Sequence, residues 1–323
     1  MTVCRTLCLH PAMIESRYYI MMGEITMSEI KTYDYAIITD GFSNLPGYLL
    51  HSLDIHILPC TYFVEDEPVD YSGDIETFDS KKYYDQIREG KVIRTSLVNS
   101  ESFKDHFRPL MEAGQDILYV GLSSGVSGTF QAAKLAADEL LEDYPDRKVR
   151  LVDSRGASLG VGILTCRGAD LRAEGKTLDE AADLLEESVL GLCEFFTVGS
   201  LEYLRRSGRV SGATAAIGEL LDIKPLLWGD YEGHIEACAK FRGRKRVVKA
   251  ILEKYKKLAV DVENSRVAIS HGDCLEEAQA LADAVCQIAK PKEMIICPHE
   301  PFTGSHVGPG MLALYFFGAK RDE

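Results

Sequence analysis

Hydroxyl side chains gather in one short stretch of this 323-residue sequence, Leu122-Ser123-Ser124-Gly125-Val126-Ser127-Gly128-Thr129. It follows an apolar run that reads as a strand and precedes a helical pattern. Unpaired amides at a helix start, together with the positive end of its dipole, favour an anion, and glycine permits close approach. Simple capping of that helix by Ser127 or Thr129 is the competing reading. The stretch is not a P-loop, because it lacks the GK[ST] ending. A second cluster, Arg94-Thr95-Ser96 followed by Asn99 and Ser100, precedes a helix that carries Phe103. Ser100 is the expected cap there, which leaves Thr95 and Ser96 for other work. Loops at the carboxyl ends of neighbouring parallel strands converge, so the two clusters are expected to face one ligand.

Near the C terminus, Thr303-Gly304-Ser305-His306-Val307-Gly308-Pro309-Gly310 joins two apolar runs. It reads as a constrained glycine-rich loop from which His306 donates to a carboxylate, against the alternative of a solvated surface histidine. His271, at a strand end, is a weaker candidate. Arg205, Arg206 and Arg209 frame a Ser207-Gly208 turn, and Lys240-Phe241-Arg242-Gly243-Arg244-Lys245-Arg246 opens a helix. Cations at a helix start work against its dipole, which points to an external purpose, with a solvated face as the alternative.

These residues need elements to position them. From Tyr35 onward, short apolar runs alternate with amphipathic stretches, the pattern of an α/β protein. Strands are expected at 35 to 39, 55 to 64, 117 to 121 and 149 to 152, then at 195 to 198, 225 to 228, 235 to 239, 267 to 270, 294 to 297 and 312 to 317. Phe103, Phe107, Leu110 and Met111 share one helical face, and Phe130, Ala133, Ala137, Leu140 and Leu141 another. Further helices are expected at 245 to 258 and 275 to 289, and one from Thr177 whose capping box with Glu180 starts a segment bridging two domains. The expected organisation is an N-terminal extension over 1–32, a parallel-sheet α/β domain over 33–175 and a second α/β domain over 176–323 packed against it. The seam between the two is the expected ligand site.

Bulk properties narrow the ligand. An apolar content of 46% supports packed cores. A net charge of −14 argues against nucleic acid as a partner, because that role calls for a dominant basic surface. Cys4, Cys8, Cys60, Cys166, Cys193, Cys238, Cys274, Cys286 and Cys297 show neither CxxC pairs nor zinc-site spacing, so they read as reduced, mostly buried thiols of a cytoplasmic protein. No apolar run approaches the roughly 18 to 20 residues that cross a bilayer, and the first thirty residues lack the pattern of an export signal. Met21, Met22 and Met27 are candidate starts of translation, so residues 1–32 read as an extension. Neither a nucleotide fingerprint nor a carboxylate pair for magnesium is evident, so no cofactor and no metal is expected.

Taken in order, Ile38-Thr39-Asp40, Thr95-Ser96, the 122–129 stretch ending in Ser-Gly-Thr, Val152-Asp153-Ser154, the 204–210 segment with Gly208-Arg209, Ile223-Lys224-Pro225, Lys240 with Arg242-Gly243, and the 306–310 segment resemble the DegV family. The resemblance runs from Tyr35 to the end. It implies a two-domain DegV-like fold that buries a long-chain fatty acid in a tunnel between the domains. It also implies a non-catalytic lipid carrier that presents the carboxylate to a separate fatty acid kinase for acyl-phosphate formation, in phospholipid metabolism, with transient membrane contact. Carried over to this chain, the carboxylate ligands are Thr95 and Ser127, supported by Ser96, the amide of Gly128 and His306. Arg209, Lys240 and Arg242 then lie at the opening. The chain departs from the family pattern at Gly41, where serine is usual, and at Leu97-Val98-Asn99, where Gln-Pro-Ser is common; neither change removes a head-group ligand.

Physical reasoning fits this ligand class. Each buried methylene gains about 0.8 kcal/mol, while a buried carboxylate needs several charge-assisted hydrogen bonds. Two rivals stand beside it: an acyl hydrolase or transferase using Ser127 as nucleophile and His306 as base, and a regulatory protein with a collapsed seam. The first calls for an acid behind the histidine and a sharp GxSxG turn, and neither is evident.

Overall fold

The run Tyr-Ala-Ile-Ile-Thr-Asp is buried at every position, which requires cover on both faces of its sheet. The computed structural model describes residues 33–210 and 223–321, so the expected extension, with Cys4, Cys8, Met21, Met22 and Met27, lies outside the described residues. Strands are β1 (Tyr35–Asp40), β2 (Ile55–Leu58), β3 (Cys60–Val64), β4 (Glu67–Tyr71), β5 (Ile93–Thr95), β6 (Asp116–Gly121), β7 (Val149–Asp153), β8 (Leu192–Thr197), β9 (Ile223–Gly229), β10 (Ile235–Arg242), β11 (Arg266–His271), β12 (Glu293–Pro298) and β13 (Leu312–Phe317). Helices are α1 (Gly47–Ser52), α2 (Ser80–Arg88), α3 (Ser100–Glu112), α4 (Thr129–Asp143), α5 (Leu159–Ala173), α6 (Leu178–Val189), α7 (Glu202–Ser207), α8 (Arg244–Leu258), α9 (Leu275–Ile288) and α10 (Pro301–Val307).

Three sheets result. A parallel sheet runs β2-β1-β6-β7, a mixed sheet β10-β9-β8-β13-β11-β12, and a small antiparallel sheet β4-β3-β5. The apolar run 55 to 64 is therefore two strands and not one. Pro59, which has no N–H for a ladder, separates β2, paired parallel with β1, from β3, paired antiparallel with β4. The later strands and the helices α8 and α9 lie where the apolar runs and helical faces place them.

The sequence of α5, Leu-Gly-Val-Gly-Ile-Leu-Thr-Cys-Arg-Gly-Ala-Asp-Leu-Arg-Ala, has no polar stripe and is buried almost all round. It packs against β1 and β6 of the parallel sheet and against β8, β11 and β13 of the mixed sheet. A helix apolar on every side belongs between two layers, and this one is the shared core of both. The bridging place expected for the helix from Thr177 thus falls to the helix before it. α6 itself packs on α5, β6 and β7, with both bonds of the Thr177–Glu180 capping box formed.

α2 is short but strongly anchored. Tyr83 and Tyr84 are fully buried and donate to the carbonyls of Pro301 at 2.5 Å and His299 at 3.0 Å. Edge-to-face aromatic contacts continue the joint, with Tyr62 meeting Tyr83 at 5.6 Å and Phe302 at 6.0 Å. The small sheet and α10 are thereby clamped together.

Candidate functional site

A cavity of about 580 Å³ opens where the loops after β5, β6 and β7 meet the mixed sheet and α10. Phe42, Leu122, Phe196, Ile235, Phe302 and Met311 contribute apolar wall, and Thr95, Ser127 and His306 gather polar atoms. Strand pairing places Thr95 opposite Tyr62 at the end of β5, and its Oγ1 lies 3.4 Å from His306 Nε2. The Ser127 hydroxyl accepts from the Thr129 amide at 3.2 Å and sits 3.0 Å from the Thr129 hydroxyl. Thr129 Oγ1 in turn accepts from Val98 N at 3.3 Å, so the loop after β5 and the loop after β6 are bonded to each other. The two hydroxyl clusters do converge. Ser96, exposed, donates to the Thr61 carbonyl at 3.4 Å.

Local capping differs from the expected pattern in two places. Asn99 and not Ser100 caps α3, accepting from Ser102 N at 2.9 Å. Gly128 occupies the N-cap of α4 and has no side chain to offer, so Ser127 performs a cap-like role from one residue earlier. His306 stands on a helix and not on a loop: Glu300 caps α10 by accepting from the amides of Phe302 and Thr303, and Pro301 fills the first turn, where its missing N–H is no loss. The glycines and proline of 308–310 terminate that helix.

Electrostatics follow from burial. Desolvation, then the Arg209 guanidinium, push His306 down to about 4, so its ring is neutral at pH 7 and donates to or accepts from Thr95 according to its tautomer. Arg209 lines the cavity from an exposed position and brings a cation to its mouth. Deeper in, His299 is buried and pushed down to about 3 by desolvation and by the neighbouring His271. Its ring nitrogens lie 2.7 Å from Ser270 Oγ and 2.7 Å from Thr303 Oγ1, and Ser270 continues to the Tyr315 hydroxyl at 3.0 Å. Ser158 reaches the same ring at 3.2 Å from a backbone at φ +52°, a conformation that side chains resist and packing must enforce. Among the described residues, no group of three or more histidine, cysteine or acidic side chains is arranged to hold a metal.

The DegV family model, described as "Uncharacterised protein, DegV family", matches residues 34–319. The chain belongs to the DegV family. A DegV domain-containing protein of Clostridium perfringens is 36% identical over 289 residues, 89% of this chain and 99% of its own. A fatty-acid-binding DegV family protein of Thermus thermophilus superposes with a TM-score of 0.79 at 30% identity, over 88% of this chain and 99% of its own. A DegV lipid-binding protein of Thermotoga maritima gives a TM-score of 0.77 at 26% identity, over 90% and 100% of the two chains.

In this DegV chain, Thr95, Ser96, Ser127, Gly128, His306 and Arg209 all border the same cavity. Lys240 and Arg242 are exposed on the edge strand β10 and are not among its lining residues. His271 is buried and accepts from Cys274 N at 3.3 Å. Among the lining residues that escaped sequence reasoning are Glu194 and His299. A signal existed for the first: Glu194 is the one charged residue in the buried strand Leu-Cys-Glu-Phe-Phe-Thr. His299 had none, since a histidine ahead of Glu-Pro reads only as a helix start. The described cysteines are all unbridged, with Cys60, Cys166, Cys193 and Cys297 buried and Cys238 exposed. No helix among the described residues is long and apolar enough to cross a membrane.

Proposed function

We propose that this chain binds one long-chain fatty acid in the cavity, with the carboxylate held by Thr95, Ser127 and His306, supported by Ser96 and the Gly128 amide. The observation that carries this reading is one cavity of about 580 Å³ with a largely apolar wall, in which hydroxyls and a neutral imidazole gather beside an exposed arginine. The volume falls within the roughly 300–1,000 Å³ usual for small-molecule sites. An acyl tail of about fifteen methylenes releases roughly 12 kcal/mol of gross transfer energy, from which ordering and association subtract a large share. Hydroxyls suit the head group because a carboxylate out of water requires hydrogen-bond donors. The fatty-acid-binding function of the Thermus thermophilus protein supports the same class.

The acid is presented to a separate fatty acid kinase, which forms the acyl-phosphate. The exposed cations Arg209, Lys240 and Arg242 suit contact with such a partner or its nucleotide. An acyl hydrolase using Ser127 and His306 is less well supported, because Ser127 is bonded to Thr129 and His306 to Thr95. The test is organic extraction of purified protein followed by mass spectrometry, with palmitate and oleate uptake by the stripped protein. One long-chain acid per chain is expected; protein that carries none and takes up neither acid refutes the reading.

A further inference from the structure

Glu194 has no place in the head-group site, yet it lines the cavity with only 7% of its surface exposed. It shares a face of β8 with Phe196, another wall residue, while Phe195 between them belongs to the core on the opposite side. Register sets its depth. Thr197 pairs with Leu312, next to the wall residue Met311, and Glu194 pairs with Tyr315, so the carboxyl stands about 10 Å along the strand from that end. Thr95 and Ser127 come from other sheets and loops.

The fold makes room for this carboxyl. A Cβ on Gly156 would lie 2.1 Å from Oε1 of Glu194, and one on Gly160 only 1.7 Å away, so any larger residue at either position would collide with it. Both oxygens lean on a single donor, the Ala157 amide, at 3.1 and 3.3 Å. The nearby Arg321 spends four donor bonds on the carbonyls of Val189, Arg155, Asp230 and Ser154, and Arg155 bonds the Tyr231 carbonyl. Tyr315 turns its hydroxyl to Ser270. Desolvation pushes Glu194 up to about 7, so it is both donor and acceptor near neutral pH. A plain hydrocarbon tail laid over such a group would leave it the Ala157 amide and the charge of Arg321 alone, with the rest of its hydrogen-bonding capacity unfilled, which burial disfavours.

We propose that Glu194 is a second polar anchor, and that the ligand is an acyl chain bearing a hydroxyl along its tail, bonded to the Glu194 carboxyl. This inference rests on the fatty acid reading of the cavity and narrows its ligand class.

The experiment compares affinities for stearate and for monohydroxystearates with the hydroxyl at successive mid-chain and terminal positions. Wild type, Glu194→Leu and Glu194→Gln are measured by displacement of a fluorescent fatty acid. At one hydroxyl position wild type should prefer the hydroxy acid by about tenfold, the scale of one well-made hydrogen bond to a charged or polar group. Glu194→Gln should keep a preference, and Glu194→Leu should lose it while gaining affinity for stearate. Equal affinity of wild type for stearate and every hydroxy acid, as a water satisfying Glu194 would give, overturns the inference and leaves the fatty acid reading standing. A preference that survives in Glu194→Leu also overturns it. Failure of wild type to bind any of these acids overturns the parent reading and the inference together. Should Glu194→Leu not fold, the wild-type panel still decides.

Discussion

Removing two hydroxyls while leaving the cavity's shape intact tests the head-group assignment most directly. Thr95→Val is nearly isosteric, and Ser127→Ala deletes a single oxygen. Each hydroxyl bonded to a carboxylate contributes about 1.5–3 kcal/mol, so losing both weakens binding by roughly 3–6 kcal/mol, or between about a hundredfold and ten-thousandfold. The lower half of that range is expected, because Thr95 and His306 are already 3.4 Å apart and share one ligand, so their contributions are coupled. The fold should tolerate the change. Ser127 gives up its acceptor bond to the Thr129 amide, a cap-like loss of about 0.5–1 kcal/mol, and the long Thr95 contact adds little. Titration of stripped protein with a fluorescent fatty acid, alongside melting of the unliganded form, separates the two effects. A double variant that melts within a few degrees of wild type and binds within about threefold of it would refute the placement of the carboxylate.

Stability should depend on pH in two opposing ways. His271, His299 and His306 are held neutral with values of about 4, 3 and 4, so below about 6.5 the unfolded chain takes up protons that the folded chain refuses, and stability falls with acid. Glu194 and Glu300 are raised to about 7 and 8, so above about 4.5 the unfolded carboxyls ionise first, and stability falls as pH rises until about 8. Melting temperature should therefore decline between about pH 6.5 and 8, and Glu300→Gln should flatten that decline; a flat wild-type profile contradicts it. Gly160→Ala should destabilise by about 1–3 kcal/mol through collision with Glu194, and adding Glu194→Ala should restore much of the loss in chemical denaturation. Thr177→Ala, far from the cavity wall, should lower stability by about 1 kcal/mol through loss of the capping box and leave fatty acid affinity unchanged.

How far the sequence foretold this molecule depended on what kind of signal each element carried. The strands β8 to β13 were legible because each is an apolar run bounded by polar turns, and α8 and α9 because their apolar faces recur at helical spacing. α5 was not, for a helix buried on every side has no face to repeat. The break between β2 and β3 hinged on one residue, Pro59, within a run whose composition reads as continuous strand. α10 was mistaken for a loop because Gly304 and the Gly308-Pro309-Gly310 run after it outweighed the Glu300-Pro301 start signal. Within the site, the hydroxyls of Thr95 and Ser127 were legible since each lies in a polar stretch at a helix start. Glu194 and His299 owe their setting to long-range packing, from residues more than thirty positions away in Gly156, Ala157 and Ser158.

Tyr83 and Tyr84 are neighbours on α2, yet they bond different carbonyls two residues apart, on either side of Glu300. One such bond would be a pivot. Two, fixed at separate points, hold angle as well as distance, so α10 cannot swing relative to α2 without breaking a buried hydrogen bond, and the Tyr62 ring ties the small sheet to both. Thr95 is carried by the small sheet, opposite Tyr62, and His306 by α10. Under the proposed function the polar atoms of Thr95 and His306 would then act as a calliper whose gap is set when the chain folds, and ligand exchange would call for the wall to yield elsewhere.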